Sequence, residues 1–410
     1  MIFFYQLFIQ IFIFGMKIFA LFNAKAQKGI DGRKQSLDIV KQSFSREDKV
    51  IWMHAASLGE YEQGLPVLEA LKNKFPEYKV LVTFFSPSGY DNVSKKKNIA
   101  DAICYLPFDK KNAIREFVSE INCEFFFTVK YDYWYHLLSE LKRKNVKVFV
   151  ISALFYEKQS FFKSYGKWFV SQLKKNVTWF FHQNEKSYVL AKSIGLLNSS
   201  VTGDTRFDRV KQIRNRDNHV DFIEDFVQKK MVLVFGSSWQ AEEKIAEVIS
   251  NQNLDIKIII APHDLGRVVH LQEIFSNAIL YSELNDFNRN HNSNILIINN
   301  IGLLSKLYSY ADIAVVGGGF HTAGLHNILE AATFGVPVIF GNQYKKNPEA
   351  DQLISAKGAQ SFGDEKSASM FVKNLIQNEI LRKEMSQNAE EFVANQPNST
   401  ELIVDKIISL

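Results

Sequence analysis

A chain of 410 residues exceeds what one ordinary hydrophobic core supports, and this length predicts two domains. Hydrophobic residues make up 46% and charged residues 23% of the chain, a balance that is typical of globular proteins and excludes a disordered one. The formal net charge of +5 is small for this length, so it allows an anionic ligand or a membrane surface and gives no reason to expect nucleic acid as a partner.

The first 22 residues are strongly apolar and aromatic. As a helix they would be about 33 Å long, enough to cross the hydrocarbon core of a bilayer. No basic residue precedes this run, and the asymmetry places the rest of the chain on the cytoplasmic side. The basic residues that follow it are Lys25, Lys28, Arg33 and Lys34. Gln6, Gln10 and Lys17 leave open a helix that lies in the membrane interface. We therefore expect residues 1–24 to anchor the chain to a membrane.

Two series of short apolar runs alternate with helical patterns. This arrangement predicts parallel sheets that are covered by helices on both faces. The first series comprises Val50–Met53, Val80–Phe85, Phe125–Val129, Val146–Ile151 and Trp179–Phe181. The second comprises Val232–Phe235, Ile258–Ile260, Ile295–Ile298, Ile313–Val316 and Val338–Phe340. Residues 211–230 between them are polar and charged, which favours a linker with a helix. We expect two doubly wound α/β domains, residues 25–212 and 213–410, that face each other across a cleft.

The segment Ser57–Glu60 follows the first apolar run, at the strand end where ligands bind in such sheets. One interpretation is a capping box, in which both side chains satisfy backbone N–H groups at the start of a helix. The other is catalytic, with a Glu60 carboxylate in the cleft that accepts a proton from an incoming hydroxyl. The sequence leaves both open. A lone histidine such as His54, at the same strand end, is more often structural.

A glycine-rich stretch, residues 317–330, follows one apolar run of the second series and precedes a predicted helix at residues 331–335. A glycine turn between strand and helix exposes backbone N–H groups at a helix N-terminus and so favours an anion. The predicted phosphate contacts are Gly317, Gly318 and Gly319. Asn327 and Glu330 are able to form a simple cap, but the surrounding glycines favour ligand binding. Phosphate and hydroxyl contacts together indicate a nucleotide or a nucleotide-sugar.

Other turns at strand ends offer further contacts to such a ligand. These candidates are Ser237, Ser238, Pro262, His263 and Arg267, with Arg206 from the first domain. The sequence holds no Asp-x-Asp triplet and no histidines at metal-ligand spacing, so we expect no catalytic metal ion.

These motifs resemble, in order along nearly the whole chain, those of the 3-deoxy-D-manno-octulosonic acid (Kdo) transferases of lipopolysaccharide biosynthesis. The matching segments are His54–Glu60 (HAASLGE), Thr83–Gly89 (TFFSPSG), Tyr105–Asp109 (YLPFD), Val201–Asp204 (VTGD), His326–Glu330 (HNILE) and Gly335–Gly341 (GVPVIFG). The resemblance implies the GT-B glycosyltransferase fold and an inverting transfer of Kdo from CMP-Kdo to lipid IVA. It further implies that Glu60 is the general base, that Glu330 binds the donor ribose, and that the protein works at the cytoplasmic face of the inner membrane among its lipids.

The chain departs from the family pattern at several positions. Lys130 stands where the family usually has the first glutamate of a Glu-x-Glu-x-Trp segment, and Asp132 takes the second. Trp239, His263 and Gly319 also replace the usual residues around the donor phosphate. Two alternatives therefore stay open: another GT-B transferase that uses a UDP-sugar, or a catalytically inactive membrane-bound GT-B binding module.

Overall fold

The computed structural model describes residues 1–252, 254–285, 293–322 and 324–410. The chain divides into two compact units, one formed by residues 1–209 with 397–410 and the other by residues 210–396. Each unit is built on its own sheet of seven parallel strands with helices around it. The predicted fold class, α/β with two doubly wound Rossmann-like units and an N-terminal apolar helix, is confirmed.

The sheet of the first unit has the strand order β3-β2-β1-β4-β5-β6-β7. Its strands are β1 (Lys49–Ala55), β2 (Lys79–Phe84), β3 (Ala102–Tyr105), β4 (Asn122–Val129), β5 (Lys147–Ala153), β6 (Trp179–His182) and β7 (Ser199–Val201). The phenylalanines of β4 show why both faces are covered, because side chains alternate along a strand. Phe126 lies in one buried cluster, whereas Phe125 and Phe127 lie in the cluster on the opposite face.

Ten helices accompany this sheet. They are α1 (Ile2–Ala20), α2 (Ala24–Ser43), α3 (Leu58–Lys74), α4 (Pro87–Val93), α5 (Lys111–Ser119), α6 (Tyr135–Arg143), α7 (Lys167–Asn176), α8 (Glu185–Ser193) and α9 (Thr205–Asn215), which leads into the second unit, with α18 (Ser399–Ser409) at the chain end. Ile403, Val404 and Ile407 of α18 are buried in the core of the first unit. Residues 397–410 thus pack with the first unit, whereas the sequence interpretation counted them with the second.

The sheet of the second unit has the order β10-β11-β9-β8-β12-β13-β14. Its strands are β8 (Met231–Ser238), β9 (Ile256–Pro262), β10 (Ile279–Leu280), β11 (Ile295–Ile297), β12 (Ile313–Val316), β13 (Val338–Gly341) and β14 (Ala359–Phe362). Its helices are α10 (Ile223–Val227), α11 (Gln240–Ser250), α12 (Val268–Ile274), α13 (Leu304–Leu307), α14 (Leu329–Ala332), α15 (Pro348–Ser355), α16 (Glu365–Gln377) and α17 (Glu379–Ala394). All ten apolar runs recognised in the sequence coincide with strands, and they supply the ten inner strands of the two sheets.

Candidate functional site

Glu60 lies in the first turn of α3, directly beyond the carboxyl end of β1, and is half-buried. Ser57 precedes the helix in an extended conformation, but its side chain makes no capping hydrogen bond to the helix backbone. Its hydroxyl donates to the Glu60 carboxylate instead. The capping box that the sequence allowed is therefore not formed, because the hydroxyl satisfies a carboxylate and not an N–H group.

His54 at the end of β1 is fully buried and lies between two polar side chains. Its Nε2 is 2.6 Å from Oδ2 of Asp132, and its Nδ1 is 2.9 Å from the hydroxyl of Thr83. The indole N–H of Trp52 donates to the same hydroxyl at 2.8 Å. Nδ1 also lies 3.1 Å from the carbonyl oxygen of Thr83, whereas the close contact of Nε2 with Oδ2 of Asp132 lacks the geometry of a hydrogen bond. The imidazole of His54 thus contacts Asp132, which could not be inferred from the position of His54 in the sequence.

Lys130 and Tyr131 directly follow β4, in a loop that lies near Glu60. Lys130 has φ +63°, a left-handed conformation that lysine rarely adopts, and its N–H donates to Ile151 at 2.9 Å. Burial raises the pKa of the Tyr131 phenol, with further contributions from Tyr156 and from the negative charges of Glu60 and Asp132. The Tyr131 phenol therefore stays protonated at neutral pH and lies within electrostatic range of both carboxylates. Sequence reasoning missed it because a tyrosine beside a strand end is ordinarily a packing residue.

Arg206 is held by Asp204 of the same unit. Its Nε and a terminal nitrogen lie 2.9 and 2.6 Å from Oδ2 of Asp204. Burial by itself raises the pKa of Asp204, but the charge and hydrogen bonds of Arg206, with the charge of Lys130, outweigh burial and leave that pKa below its usual value. Oδ1 of Asp204 accepts a hydrogen bond from Gln63 in the middle of α3 at 2.7 Å. The predicted phosphate ligand is thus also part of an ion pair that ties α9 to α3.

In the second unit, the ends of β8, β9 and β12 bring together several of the predicted donor contacts. Ser237 has φ +51°, and a Cβ on Gly317 would lie 1.9 Å from its carbonyl oxygen, so only glycine fits there. Gly318 has φ +91°, which also favours glycine. The N–H of His263 donates to the carbonyl of Ser238 at 3.0 Å, which places the Pro262–His263 turn beside them.

The glycine turn is not at a helix N-terminus, and that part of the sequence interpretation was wrong. The helix begins only at Leu329 and ends at Ala332, and Glu330 is its second residue. Nine residues, 320–328, separate Gly319 from the start of this helix. Ala323, one of these nine, lies outside the described residues. Any anion at Gly317, Gly318 and Gly319 must therefore be bound by the loop itself and not by a helix dipole.

Four rings form an aromatic cluster at these strand ends. Trp239 stacks on His263 with ring centroids 4.6 Å apart and meets His321 edge-on at 4.5 Å, and His326 lies 4.6 Å from His263. Burial, with the nearby charges of the other two histidines, lowers the pKa of His326 to about 4, and burial also lowers the pKa of His263. Both shifts favour the uncharged form of these two histidines at neutral pH, and the stacked pair of Trp239 and His263 presents a flat face. Only His263 was predicted as a site residue, since the other rings are distant in sequence.

Two carboxylates occupy the first turn of α11. Glu243 is buried, and both of its oxygens accept from Arg267, one of them at 2.8 Å from Nε. The neighbouring Glu242 accepts the N–H of Trp239 at 2.9 Å, and burial raises its pKa to about 7. Arg267 was predicted as a phosphate contact, but in this structure its guanidinium neutralises Glu243.

Asn327 and Glu330 lie side by side at the start of α14. The Asn327 amide donates to Glu330 at 3.0 Å and its oxygen accepts the N–H of Leu329 at 3.1 Å. The side chain of Glu330 is half-buried, and its charge, after burial, helps to raise the pKa of the Tyr308 phenol. The oxygens of the Glu330 carboxylate accept hydrogen bonds, as from Asn327, which suits this side chain to bind ligand hydroxyls. Among the described residues, no group of three or more histidine, cysteine or acidic side chains is arranged to hold a metal ion.

Comparison with known proteins finds similar sequences among one group of transferases. Residues 31–209 match the family model described as 3-Deoxy-D-manno-octulosonic-acid transferase (kdotransferase). A 3-deoxy-D-manno-octulosonic acid transferase of Chlamydia trachomatis is 27% identical over 394 residues, covering 91% of this chain and 88% of the relative. One of Aquifex aeolicus is 24% identical over 332 residues, covering 78% of this chain and 86% of the relative. A bifunctional glycosyltransferase/methyltransferase of Fusobacterium nucleatum is 26% identical over 89% of this chain, which spans only 56% of that relative's length.

Solved structures agree on the fold. UDP-GlcNAc 2-epimerase from Neisseria meningitidis superposes with a TM-score of 0.61 at 16% identity, covering 88% of this chain and 100% of the other. A glycosyltransferase from Rickettsia africae superposes with a TM-score of 0.55 at 14% identity, covering 89% and 98%. The motifs and the sequence matches agree, and the resemblance is confirmed: the chain is similar to the 3-deoxy-D-manno-octulosonic acid transferases over most of its length and has a GT-B-like fold.

Proposed function

We propose that this protein is an inverting glycosyltransferase that moves Kdo from CMP-Kdo to lipid IVA, the lipid A precursor. The observation that carries the proposal is the carboxylate of Glu60. It lies at a strand end, is not used as a helix cap, and has the phenol of Tyr131 nearby. It also falls inside the segment that matches the Kdo transferase family model. A carboxylate in that position suits general-base catalysis.

The proposed reaction uses Glu60 as the proton acceptor. Glu60 takes the proton of the acceptor glucosamine hydroxyl while that oxygen forms its bond to the anomeric carbon of Kdo. The bond from this carbon to the CMP phosphate breaks, and its electron pair leaves with the phosphate oxygen. Attack opposite the leaving group inverts the anomeric centre, and the transition state carries positive charge on the sugar ring, as in other glycosyl transfers.

The donor is assigned to the second unit. Glu330 accepts hydrogen bonds from the ribose hydroxyls, and the phosphate is assigned to the Gly317–Gly319 loop. The N–H of Gly317 donates to the carbonyl of Gly236 at 2.9 Å and that of Gly318 to the Glu242 carboxylate, so we assign the N–H of Gly319 to the phosphate. The uncharged stack of Trp239 and His263 offers a flat surface for the cytosine base, because aromatic rings and bases stack through their faces. These three parts of the site match the three parts of CMP.

The leaving phosphate is assigned to protein groups and not to a divalent ion. The motivation is the residue pattern, which supplies amides and arginines but no set of metal ligands. Arg206 and Arg267 each pair with a carboxylate, so each would share its charge between that carboxylate and the phosphate. Full activity should survive excess EDTA. Loss of activity with EDTA and its return with magnesium would contradict this assignment.

We also assign the protein to the cytoplasmic face of the inner membrane, where its acceptor lies. The supporting observation is α1, which among the described residues is the one helix long and apolar enough to cross a membrane. The basic residues that follow it suit an anionic leaflet.

A donor panel tests the proposed function. Purified full-length protein is incubated with lipid IVA and, separately, with CMP-Kdo or a set of UDP-sugars. We expect product only with CMP-Kdo. Product only with a UDP-sugar would make the protein another GT-B transferase. Binding of CMP-Kdo without turnover, even at enzyme excess, would make it an inactive binding module.

A further inference from the structure

The N-terminal helix α1 is packed along the first unit and does not project from it. The residues of α1 that are buried or half-buried recur at helical spacing, so they form one face. They are Tyr5, Ile9, Phe12, Ile13, Met16 and Ala20. Since they run from the first turn to the last, the contact extends over the length of the helix, about 28 Å for 19 residues.

A buried hydrogen-bond node fixes the amino-terminal end of α1. The Tyr5 hydroxyl donates to Oδ2 of Asp109 at 2.6 Å and accepts the N–H of Tyr135 at 3.1 Å. Asp109 is 2% exposed and also accepts the N–H groups of His136 and Leu137 at 2.8 and 2.9 Å, at the start of α6. Removing α1 from the first unit would deprive the buried carboxylate of Asp109 of a hydrogen-bond donor, which is costly.

Aromatic packing fixes the middle of α1. The ring of Phe12 lies 6.1 Å from Phe85, 6.5 Å from Phe108 and 6.4 Å from Trp134, centroid to centroid. Nearer the amino-terminal end of α1, the rings of Tyr5 and Trp168 are 6.3 Å apart. These neighbours belong to the folded unit, so α1 is one of its structural elements and not a tether.

The opposite face of α1 is apolar and exposed. Large side chains on it recur three or four residues apart and are between 46% and 69% exposed: Phe3, Leu7, Ile11, Phe14 and Ile18. Gln6, Gln10 and Lys17 lie four and seven residues apart, so they form a polar edge along one side of this face. A helix with a docked face, an apolar face and a polar edge between them has the pattern of one that lies in a membrane interface.

We propose that α1 lies in the plane of the membrane while docked to the first unit, with its exposed face inserted into an anionic leaflet, and does not cross the bilayer. The inference rests on the proposed function only in that both place the chain at a membrane. A crossing would carry the neighbours of α1 into the hydrocarbon. Phe12, in the middle of α1, contacts Phe85 and Phe108, and the guanidinium of Arg33 lies 4.7 and 4.6 Å from the centroids of these two rings. A charged side chain near the bilayer centre is costly.

An anionic lipid surface is the occupant that the charges favour. Lys17 lies on the polar edge of α1 and Lys25 follows it, and both side chains are exposed. Basic residues near such a leaflet are attracted to its negative charge. Burial of the large exposed side chains removes apolar surface from water. The two contributions act on the same side of the helix, so a leaflet satisfies both at once.

Depth measurements along α1 test the proposal without donor or acceptor. Phe3→Cys, Leu7→Cys, Phe14→Cys and Ile18→Cys are made singly in the full chain, labelled with a fluorophore and bound to phosphatidylethanolamine–phosphatidylglycerol vesicles that contain lipids brominated at known depths. Wild-type protein corrects for the native cysteines, whose thiol pKa values are raised by burial. We expect all four labels at one shallow depth, about 5–10 Å into the headgroup–acyl boundary.

A crossing helix gives a different profile. It separates residues 3 and 18 by about 22 Å along the membrane normal, so the middle labels would be deepest and the end labels shallow on opposite sides. That profile would overturn the proposal. Labels that brominated lipids do not quench would overturn it as well. If the protein then self-associates, a second copy covers the exposed face of α1; if it stays off the vesicles, the face does not bind a membrane.

The Tyr5 node supplies a second, independent test. Tyr5→Phe removes the hydroxyl that joins α1 to Asp109, whereas Tyr165→Phe changes an exposed tyrosine of the same unit as a control. We expect the label at residue 3 to change depth or mobility in Tyr5→Phe, with the label at residue 18 unchanged and no effect of Tyr165→Phe. An unchanged label at residue 3 would contradict the docked arrangement. Neither result depends on Kdo transfer, so failure of the proposed function would be seen separately.

Discussion

The imidazole Nε2 of His54 lies 2.6 Å from the carboxylate of Asp132, at the carboxyl ends of two neighbouring strands. The other ring nitrogen is held by Thr83, so the histidine has no freedom to turn. Asp132 is the one acidic residue that remains in a segment where Kdo transferases usually have two. The contact with His54 therefore holds the Asp132 carboxylate near Tyr131. Burial raises the pKa of the Tyr131 phenol, and the charges of Glu60 and Asp132 add to this shift.

Asp132→Asn is predicted to lower turnover at least tenfold while leaving the fold intact. The amide has nearly the same shape as the carboxylate and keeps an oxygen beside His54, so the main change is the loss of the negative charge. His54→Phe is predicted to lower both turnover and melting temperature, because the buried Thr83 hydroxyl keeps Trp52 but loses its contact with the imidazole. Steady-state kinetics and thermal unfolding of the two variants separate these effects. An Asp132→Asn variant with wild-type turnover would make the pair purely structural.

Glu60→Gln is predicted to lose about 10²–10⁴-fold in turnover, the usual range for a general base, with unchanged binding of CMP-Kdo. The matched control is Ser57→Ala. Because Ser57 does not cap α3, its loss should change the unfolding free energy by only a few tenths of a kcal/mol, whereas removal of a true cap costs about 1 kcal/mol. A near wild-type rate in Glu60→Gln, or a cap-sized loss in Ser57→Ala, would favour the capping interpretation.

Glu330→Ala is predicted to weaken CMP binding by about 1.5–3 kcal/mol, the range for a hydrogen bond to a charged group. The expected cause is the loss of the acceptor for the ribose hydroxyls. Isothermal titration calorimetry with CMP measures it directly. Glu384→Ala, an exposed glutamate of the same unit, should bind as the wild type does. Equal affinities of Glu330→Ala and the control would exclude the ribose role.

The second unit is predicted to lose stability as pH rises from about 4.5 to 7. Burial raises the pKa of Glu242 to about 7 from an ordinary value of 4.5, so in this window the folded state holds a proton that the unfolded state has released. The unfolding free energy then falls with rising pH, by an amount on the order of 3 kcal/mol. Urea unfolding of Glu242→Gln should lack this fall, and Glu247→Gln, on the exposed side of α11, should keep it. Parallel pH profiles for wild type and Glu242→Gln would contradict the assignment.

The strands that the sequence analysis found and those that it missed differ in their place in the sheets. The four missed strands are β3, β7, β10 and β14, which form the two edges of each sheet. An edge strand pairs on one side only and is less buried, so it needs no long apolar run. Ala359–Phe362, with Gln360 and Ser361 at its centre, is an example. The inner strands, buried on both faces, were recognised because burial forces an apolar sequence on them.

The candidate site was predictable only where local sequence decides it. Glu60 and the Gly317–Gly319 turn follow buried strands directly, so their places could be inferred from the chain. The link from His54 to Asp132 spans 78 positions and the stack of Trp239 on His263 spans 24, and neither distance leaves a local signal. The packing of α18 against the first unit likewise depends on tertiary contacts and not on pattern.

Mass spectrometry of lipid IVA after incubation with CMP-Kdo and the purified full-length protein tests the central claim most directly. The account predicts an increase by the mass of one or more Kdo units, which persists in excess EDTA and is lost in Glu60→Gln. Unmodified lipid IVA with folded, CMP-binding wild-type protein would contradict it, as would the same product from Glu60→Gln at the wild-type rate.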